Sequence, residues 1–286
     1  MGTEKLAGEL EAILLKRIAT DQLVVPTIPA VQQRAQEVLR EGDSGLKRAV
    51  DVFQQDPFLA ARVLRLSPSK AVAGKKLAIG EALNGLGPKG VRGVLVDATG
   101  TKMHVSRDPE IATAIRKTWE HAVAVGTLAR DVLALSGRPD SEAAYLAGLM
   151  HDVGKVVVAS ILLEAERQTT ELYNRGWIAA RDWIDVVRRT HRPVGLALAE
   201  KWQIGGEVLA CMQAELDYDN TDRTSLVNAV CFANALAKKV GVYVGPMDAD
   251  DVDAIVMIGR SLIGVNDDIL KTLLKSLKDR VEGLFD

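Results

Sequence analysis

The sequence predicts an all-α protein, and three observations carry that expectation. Apolar residues recur at three- and four-residue spacing, aromatic side chains are scarce, and turn-forming residues cut the chain at intervals suited to helices. Aromatics make up 4% of the 286 residues while Ala, Val and Leu dominate, which favours packed helices over sheets. At 48% hydrophobic and 26% charged, the chain falls in the soluble globular class and is long enough to bury a sizeable core.

The N-terminal stretch MGTEKLAGELEAILLKRI forms an amphipathic helix whose Glu4, Glu9 and Glu11 set it apart from a basic secretion signal. A second one-sided helix follows from Ile28, Val31, Ala35, Val38 and Leu39. Asp56-Pro57 opens another, since proline is at ease in a first helical turn. Gly85-Leu-Gly87-Pro-Lys-Gly90 has glycine and lysine without the Gly-x4-Gly-Lys-Ser/Thr phosphate loop, and reads as a turn. Val94–Val96 and Val156–Leu162 could pass for strands, but no flanking turn would return a pairing strand, so both are expected as buried helix.

Trp119–Leu135 is a long amphipathic segment ended by Ser136-Gly-Arg-Pro139. Gly245-Pro246 makes a later break, and Ile269, Leu273, Leu277, Val281 and Leu284 mark the last helix. The spacing of these breaks implies helices of about three turns. We expect a single compact body with an N-terminal helical half over 1–103, a second helical half over 104–241 and a C-terminal helical extension over 242–286.

A formal charge of -2 gives no electrostatic reason to coat nucleic acid or an anionic membrane, so neither is an expected partner. Cys211 and Cys231 lack a Cys-x-x-Cys companion and are expected as buried thiols. No apolar stretch is expected to reach the ~20 residues of a membrane span, and the expected location is the cytoplasm.

Histidine is limited to His104, His121, His151 and His191. His151 is followed at once by Asp152 at the expected end of a helix, with Gly154 letting the chain turn away. His121 lies upstream, in Trp119-Glu-His121. Imidazoles and a carboxylate brought together from two helices suit a divalent metal, which could activate water against a phosphate ester.

Six blocks then resemble, in order, the HDOD-domain family within the HD superfamily of metal-dependent phosphohydrolases. They are Val25-Pro-Thr-Ile-Pro29, Asp56-Pro-Phe-Leu-Ala-Ala-Arg-Val-Leu-Arg-Leu66, Glu81-Ala-Leu-Asn-Gly-Leu-Gly87, Trp119-Glu-His121, Leu146-Ala-Gly-Leu-Met-His-Asp-Val-Gly-Lys155 and His191-Arg-Pro-Val-Gly-Leu-Ala-Leu-Ala-Glu-Lys-Trp202. The resemblance covers about residues 22–240 and implies an HD-like bundle of many short helices and a place in bacterial signalling. By the same resemblance His121, His151 and Asp152 are metal ligands, while Asn234 stands where the superfamily has its closing Asp. An amide is a neutral, weaker ligand, so the site is expected to be vestigial: no cofactor firmly held, a divalent metal at most weakly. A histidine pair carried by many relatives falls on Glu215 and Leu216, and Pro68 replaces the family's usual Asn.

Lys155, His191 and Glu215 are candidates for the rest of the pocket, and Arg188, Arg189 and Arg192 form a candidate anion site. The arginines equally fit a solvated helix end, His191 a helix start, and the His-Asp group a buried hydrogen-bonded cluster. Trp177 and Trp183 suit either the core or a partner surface. The leading expectation is a non-catalytic signalling module that binds a protein partner. The alternatives are a metal-dependent phosphohydrolase acting on a nucleotide or cyclic nucleotide, and a sensor that binds a nucleotide without turnover.

Overall fold

The computed structural model describes residues 3–24, 27, 29–67, 79–100, 104–135, 141–173, 178–202, 204, 206–213 and 217–281, and no strand occurs among them. The helices in chain order are α1 (Thr3–Ala19), α2 (Pro29–Arg40), α3 (Asp43–Leu46), α4 (Ala49–Gln54), α5 (Pro57–Leu66), α6 (Ile79–Gly100) and α7 (Pro109–Leu135). They continue with α8 (Ser141–Met150), α9 (Val153–Tyr173), α10 (Ala180–Lys201), α11 (Gly206–Ala210), α12 (Leu226–Lys239), α13 (Ala249–Ile263) and α14 (Asp267–Val281). The all-α expectation holds, and Val94–Val96 and Val156–Leu162 are helical as the sequence implies.

Local chemistry explains several boundaries. The Asp56 carboxylate accepts from the backbone N–H of Phe58 and Leu59 at 2.8 and 3.1 Å, and Pro57 occupies the first turn of α5. Asp248 caps α13 in the same way, and Gly264, with φ 84°, ends it. At Leu86-Gly-Pro88 the expected turn is a kink inside α6, made by Gly87 at φ 64° and ψ 173°.

The expectation of three-turn helices is exceeded, since α7 runs 27 residues and α10 runs 22 with Pro193 inside it. Tertiary packing overrides the proline: α10 is held along its length by buried Trp183, Val186, Val194 and Leu198. The N-terminal half of α7 feeds a core shared with α1–α6, α9 and α10, while its C-terminal half joins a second core with α12, α13 and α14.

Two pairs of glycines set how the central helices meet. A Cβ on Gly148 of α8 would lie 2.7 Å from Val125 O and 2.8 Å from Gly126 Cα, so the α7 and α8 backbones touch. In these antiparallel neighbours His121 and His151 therefore emerge at the same end. A Cβ on Gly154 would lie 1.8 Å from His191 O, which locks α9 onto α10. Gly154 accordingly does not turn the chain away: it sits in the first turn of α9, and the turn is His151-Asp152 itself.

Ser141–Thr170 is apolar and long enough to cross a membrane by length and composition, contrary to the expectation that no stretch would be. Within the fold 83% of its most apolar window is buried, and the His151-Asp152 turn interrupts it.

Candidate metal centre

His121 projects from α7, His151 and Asp152 occupy the turn between α8 and α9, and His191 projects from the middle of α10. Each imidazole has its Nδ1 on a main-chain carbonyl: His121 on Val242 O at 2.7 Å, His151 on Gly148 O at 2.6 Å and His191 on Arg188 O at 2.7 Å. A carbonyl can only accept, so Nδ1 carries a proton, and a neutral imidazole held this way presents its Nε2 lone pair to the site. All three Nε2 atoms face Asp152. His151 Nε2 and His121 Nε2 lie 3.3 and 3.9 Å from its Oδ2, and His191 Nε2 lies 3.6 Å from its Oδ1.

Burial drives His121 down to a pKa of about 3, helped by His151 and Lys155, and so keeps it neutral. Burial also lowers His191. Asp152 goes the other way: desolvation alone would raise it, but Lys155 and His151 outweigh that and hold it well below the carboxylate range. Lys155 Nζ donates to Asp152 Oδ2 at 2.5 Å.

His121, His151 and Asp152 form a group able to hold a metal ion, with one ligand atom from each lying within 4.8 Å of the others. His121 Nε2, His151 Nε2 and Asn234 Oδ1 are buried with no hydrogen-bond partner among the described residues, as ligand atoms awaiting a cation would be. Two neutral imidazoles and a carboxylate suit a borderline divalent ion such as Zn, Fe, Mn or Ni. Coordination chemistry thus fits, with one formal negative charge against two and the Lys155 ammonium already on the same oxygen.

Asn234 lines a cleft of about 200 Å³ together with His151, Asp152, His191, Arg192 and Lys238. The three candidate arginines separate here. Arg188 and Arg189 are exposed and bound to Asp185 at 2.6 and 2.7 Å, whereas Arg192 enters the cleft. Neither a helix end nor a helix start describes this run, because residues 188–192 lie in mid-α10. Glu215, Leu216, Pro68 and Trp177 lie outside the described residues, while Trp183 is buried in the core.

Sequence reading missed Val242, Lys238 and Tyr243. The Tyr243 ring packs 5.4 Å from the His121 ring, with Lys155 Nζ and Lys238 Nζ at 5.1 and 5.0 Å from its centroid. Lys238 sits one helical turn after Asn234, a spacing that could have drawn attention to it.

An all-helical fold that carries an imidazole from one helix onto a His-Asp doublet defines an HD-like protein. The HDOD domain matches residues 25–218, and the chain belongs to the HDOD-domain family. A crystal structure named "Putative metal-dependent phosphohydrolase" from Shewanella amazonensis SB2B is similar over 98% of this chain and 99% of its own, at TM-score 0.51 and 20% identity. The MmoQ response regulator from Methylococcus capsulatus str. Bath is similar over 88% of this chain and 98% of its own, at TM-score 0.62 and 18% identity. These likenesses establish the fold. An uncharacterized protein of Treponema pallidum (strain Nichols) is 25% identical over 216 residues, which cover 73% of this chain and 41% of that protein. The match therefore spans about two fifths of that curated relative's length.

Proposed function

We propose that this chain is a signal-transduction HDOD module that works by binding a partner protein, with its HD-like site held away from turnover by an internal ion pair. The observation that carries the reading is Lys155 Nζ at 2.5 Å from Asp152 Oδ2, the same oxygen that faces both imidazoles of the group. A carboxylate already neutralised by an ammonium attracts a dication weakly, and Asn234 adds no charge to compensate. Family membership supports the signalling role, and the response regulator among the fold relatives is of the same kind.

The surface available to a partner includes Met257 and Ile258 of α13, exposed at 68% and 51%. Their neighbour Ile255 lines the cleft beside the doublet, so a partner on this helix would be sensitive to what the cleft contains.

The two orphaned imidazole nitrogens favour a second reading, a metal-dependent phosphohydrolase. His121, His151 and Asp152 would hold the ion, which would supply an activated water and a Lewis acid. Lys155 would then have to leave Asp152. Metal analysis of the purified protein and phosphate-release assays on phosphomonoesters, nucleotides and cyclic dinucleotides, with Mn, Mg, Fe, Ni or Zn added, separate the two. We expect no turnover. Metal-dependent hydrolysis that vanishes in His151→Ala or Asp152→Ala overturns the binding reading and establishes the hydrolase.

A further inference from the structure

A second cavity, of about 670 Å³, lies where the end of α1 and the segment after it meet α5, α6 and the end of α10. None of its lining residues lines the cleft at His151-Asp152. Helix α1 gives way to Asp21, whose φ of 55° makes it the one non-glycine in the left-handed region among the described residues. Gln22 N donates to Arg17 O at 2.9 Å and closes that turn, so Leu23 and Val24 leave the helix and become one wall of the cavity.

Protein interiors leave few voids larger than a water molecule, so an opening of this size is more than a packing fault. Its volume falls within the ~300–1,000 Å³ of small-ligand sites. Much of the wall is apolar and held in place. Phe58, Leu59 and Leu198 are buried, and the Trp202 ring stands edge-on to Phe58 with centroids 6.0 Å apart. Val24, 63% exposed, marks where the cavity meets solvent.

Arg62, Arg65 and Lys201 bring three positive charges to the lining against the one carboxylate of Asp21. Lys201 is already engaged, at 2.8 Å from Asp21 Oδ2 and donating to Ala19 O at 3.3 Å. The half-buried Arg65 side chain makes neither an ion pair nor a hydrogen bond among the described residues. Thr27, 4% exposed, adds a hydroxyl that is likewise without a hydrogen bond among them, a second donor within the lining. A planar guanidinium fork matches a carboxylate through two parallel bonds. One open fork among apolar walls therefore suits a single negative charge on an apolar body.

We infer that this cavity binds a small carboxylic acid with an apolar body, its carboxylate on Arg65 and its body against Phe58, Leu59, Leu198 and Trp202. The inference goes beyond the partner-binding reading and depends neither on it nor on turnover at the doublet. A bound acid would touch the end of α10, the helix whose middle carries His191, and would give the module a small-molecule input of its own.

Titration calorimetry of the full chain at neutral pH with octanoate and with 3-phenylpropionate, each beside its uncharged amide, tests it. Saturable one-site binding is expected for at least one acid. That acid should bind about tenfold or more tighter than its amide, the worth of a charge-assisted hydrogen bond. Arg65→Gln should remove most of that margin, whereas Arg92→Gln, on α6 and paired with Asp43, should leave it unchanged. Of the described tryptophans Trp202 lines the cavity, so binding should change the intrinsic fluorescence of the parent and not that of Trp202→Phe. Tighter octanoate identifies an aliphatic occupant, and tighter 3-phenylpropionate an aromatic one. If Arg65→Gln fails to fold, the ratio of acid to amide in the parent decides. The inference is overturned by absence of saturable binding of both acids, by amides that bind as tightly as their acids, by affinity unchanged in a folded Arg65→Gln, or by an emission change that survives in Trp202→Phe. Each of these leaves the reading of the doublet and of partner binding as it stands.

Discussion

Gly154→Ala should destabilise the protein by about 2–3 kcal/mol, although alanine is the better helix former. The added Cβ would stand 1.8 Å from His191 O, 2.7 Å from His191 C and 2.8 Å from Gly195 N. All three are main-chain atoms, so no side-chain rotation relieves the clash. Ordinary contact begins at 3.4 Å, so α10 must retreat from 1.8 Å to that distance at the His191 carbonyl. Retreat opens the packing of buried Val187, Val194 and Leu198 against the core. Overpacking costs ~1–3 kcal/mol and more where backbone is the obstacle, and helix propensity returns at most about 1 kcal/mol.

Gly93→Ala in α6 is the matched control, because a Cβ there meets nothing within 4 Å. It should stabilise by about 0.4–1 kcal/mol. Urea unfolding followed by far-UV circular dichroism measures both. A Gly154→Ala variant within about 0.5 kcal/mol of the parent would refute the account of how α9 meets α10, and with it the placement of His191 on Asp152.

Further outcomes follow from the site and core. Leu149→Ala removes a side chain with 0% exposure and should cost about 2–5 kcal/mol in the same unfolding assay. His121 has a folded pKa of about 3 against an ordinary 6.5, so below pH 6.5 the unfolded chain takes up a proton that the folded chain refuses. Stability should therefore fall as pH drops from 6.5 towards 3, by up to about 1.4 kcal/mol per pH unit from this group; a flat profile between pH 6 and 4 would contradict it. Asn234→Asp, which adds a carboxylate to the cleft, and Lys155→Met, which frees Asp152, should each raise affinity for Mn or Zn about tenfold or more in titration calorimetry. Unchanged metal affinity in both would mean that charge is not what limits the site.

Residues 121, 151 and 152 could be grouped from the chain because the His-Asp doublet is adjacent and the resemblance places His121 with it. His191 was a candidate whose partner was not legible. Its approach to Asp152 depends on Gly154 meeting Gly195, a contact between residues 41 positions apart that periodicity does not encode. Arg188, Arg189 and Arg192 look alike in sequence, and only the rotation of α10 about its axis sends the third into the cleft and the first two to Asp185.

The sequence by itself determined that the chain is helical, because apolar spacing acts within a few residues and needs no partner to be read. It also fixed the charge such an imidazole–carboxylate group would carry, one formal negative, since residue identity sets ligand charge. Tertiary structure alone decided what surrounds that group. Lys238 and Tyr243 reach Lys155 across some 83–88 positions of chain, and Val242 fixes the His121 tautomer from 121 positions away. Such convergence follows from which helix faces meet and at what crossing, a property of packed surfaces taken together rather than of any one segment.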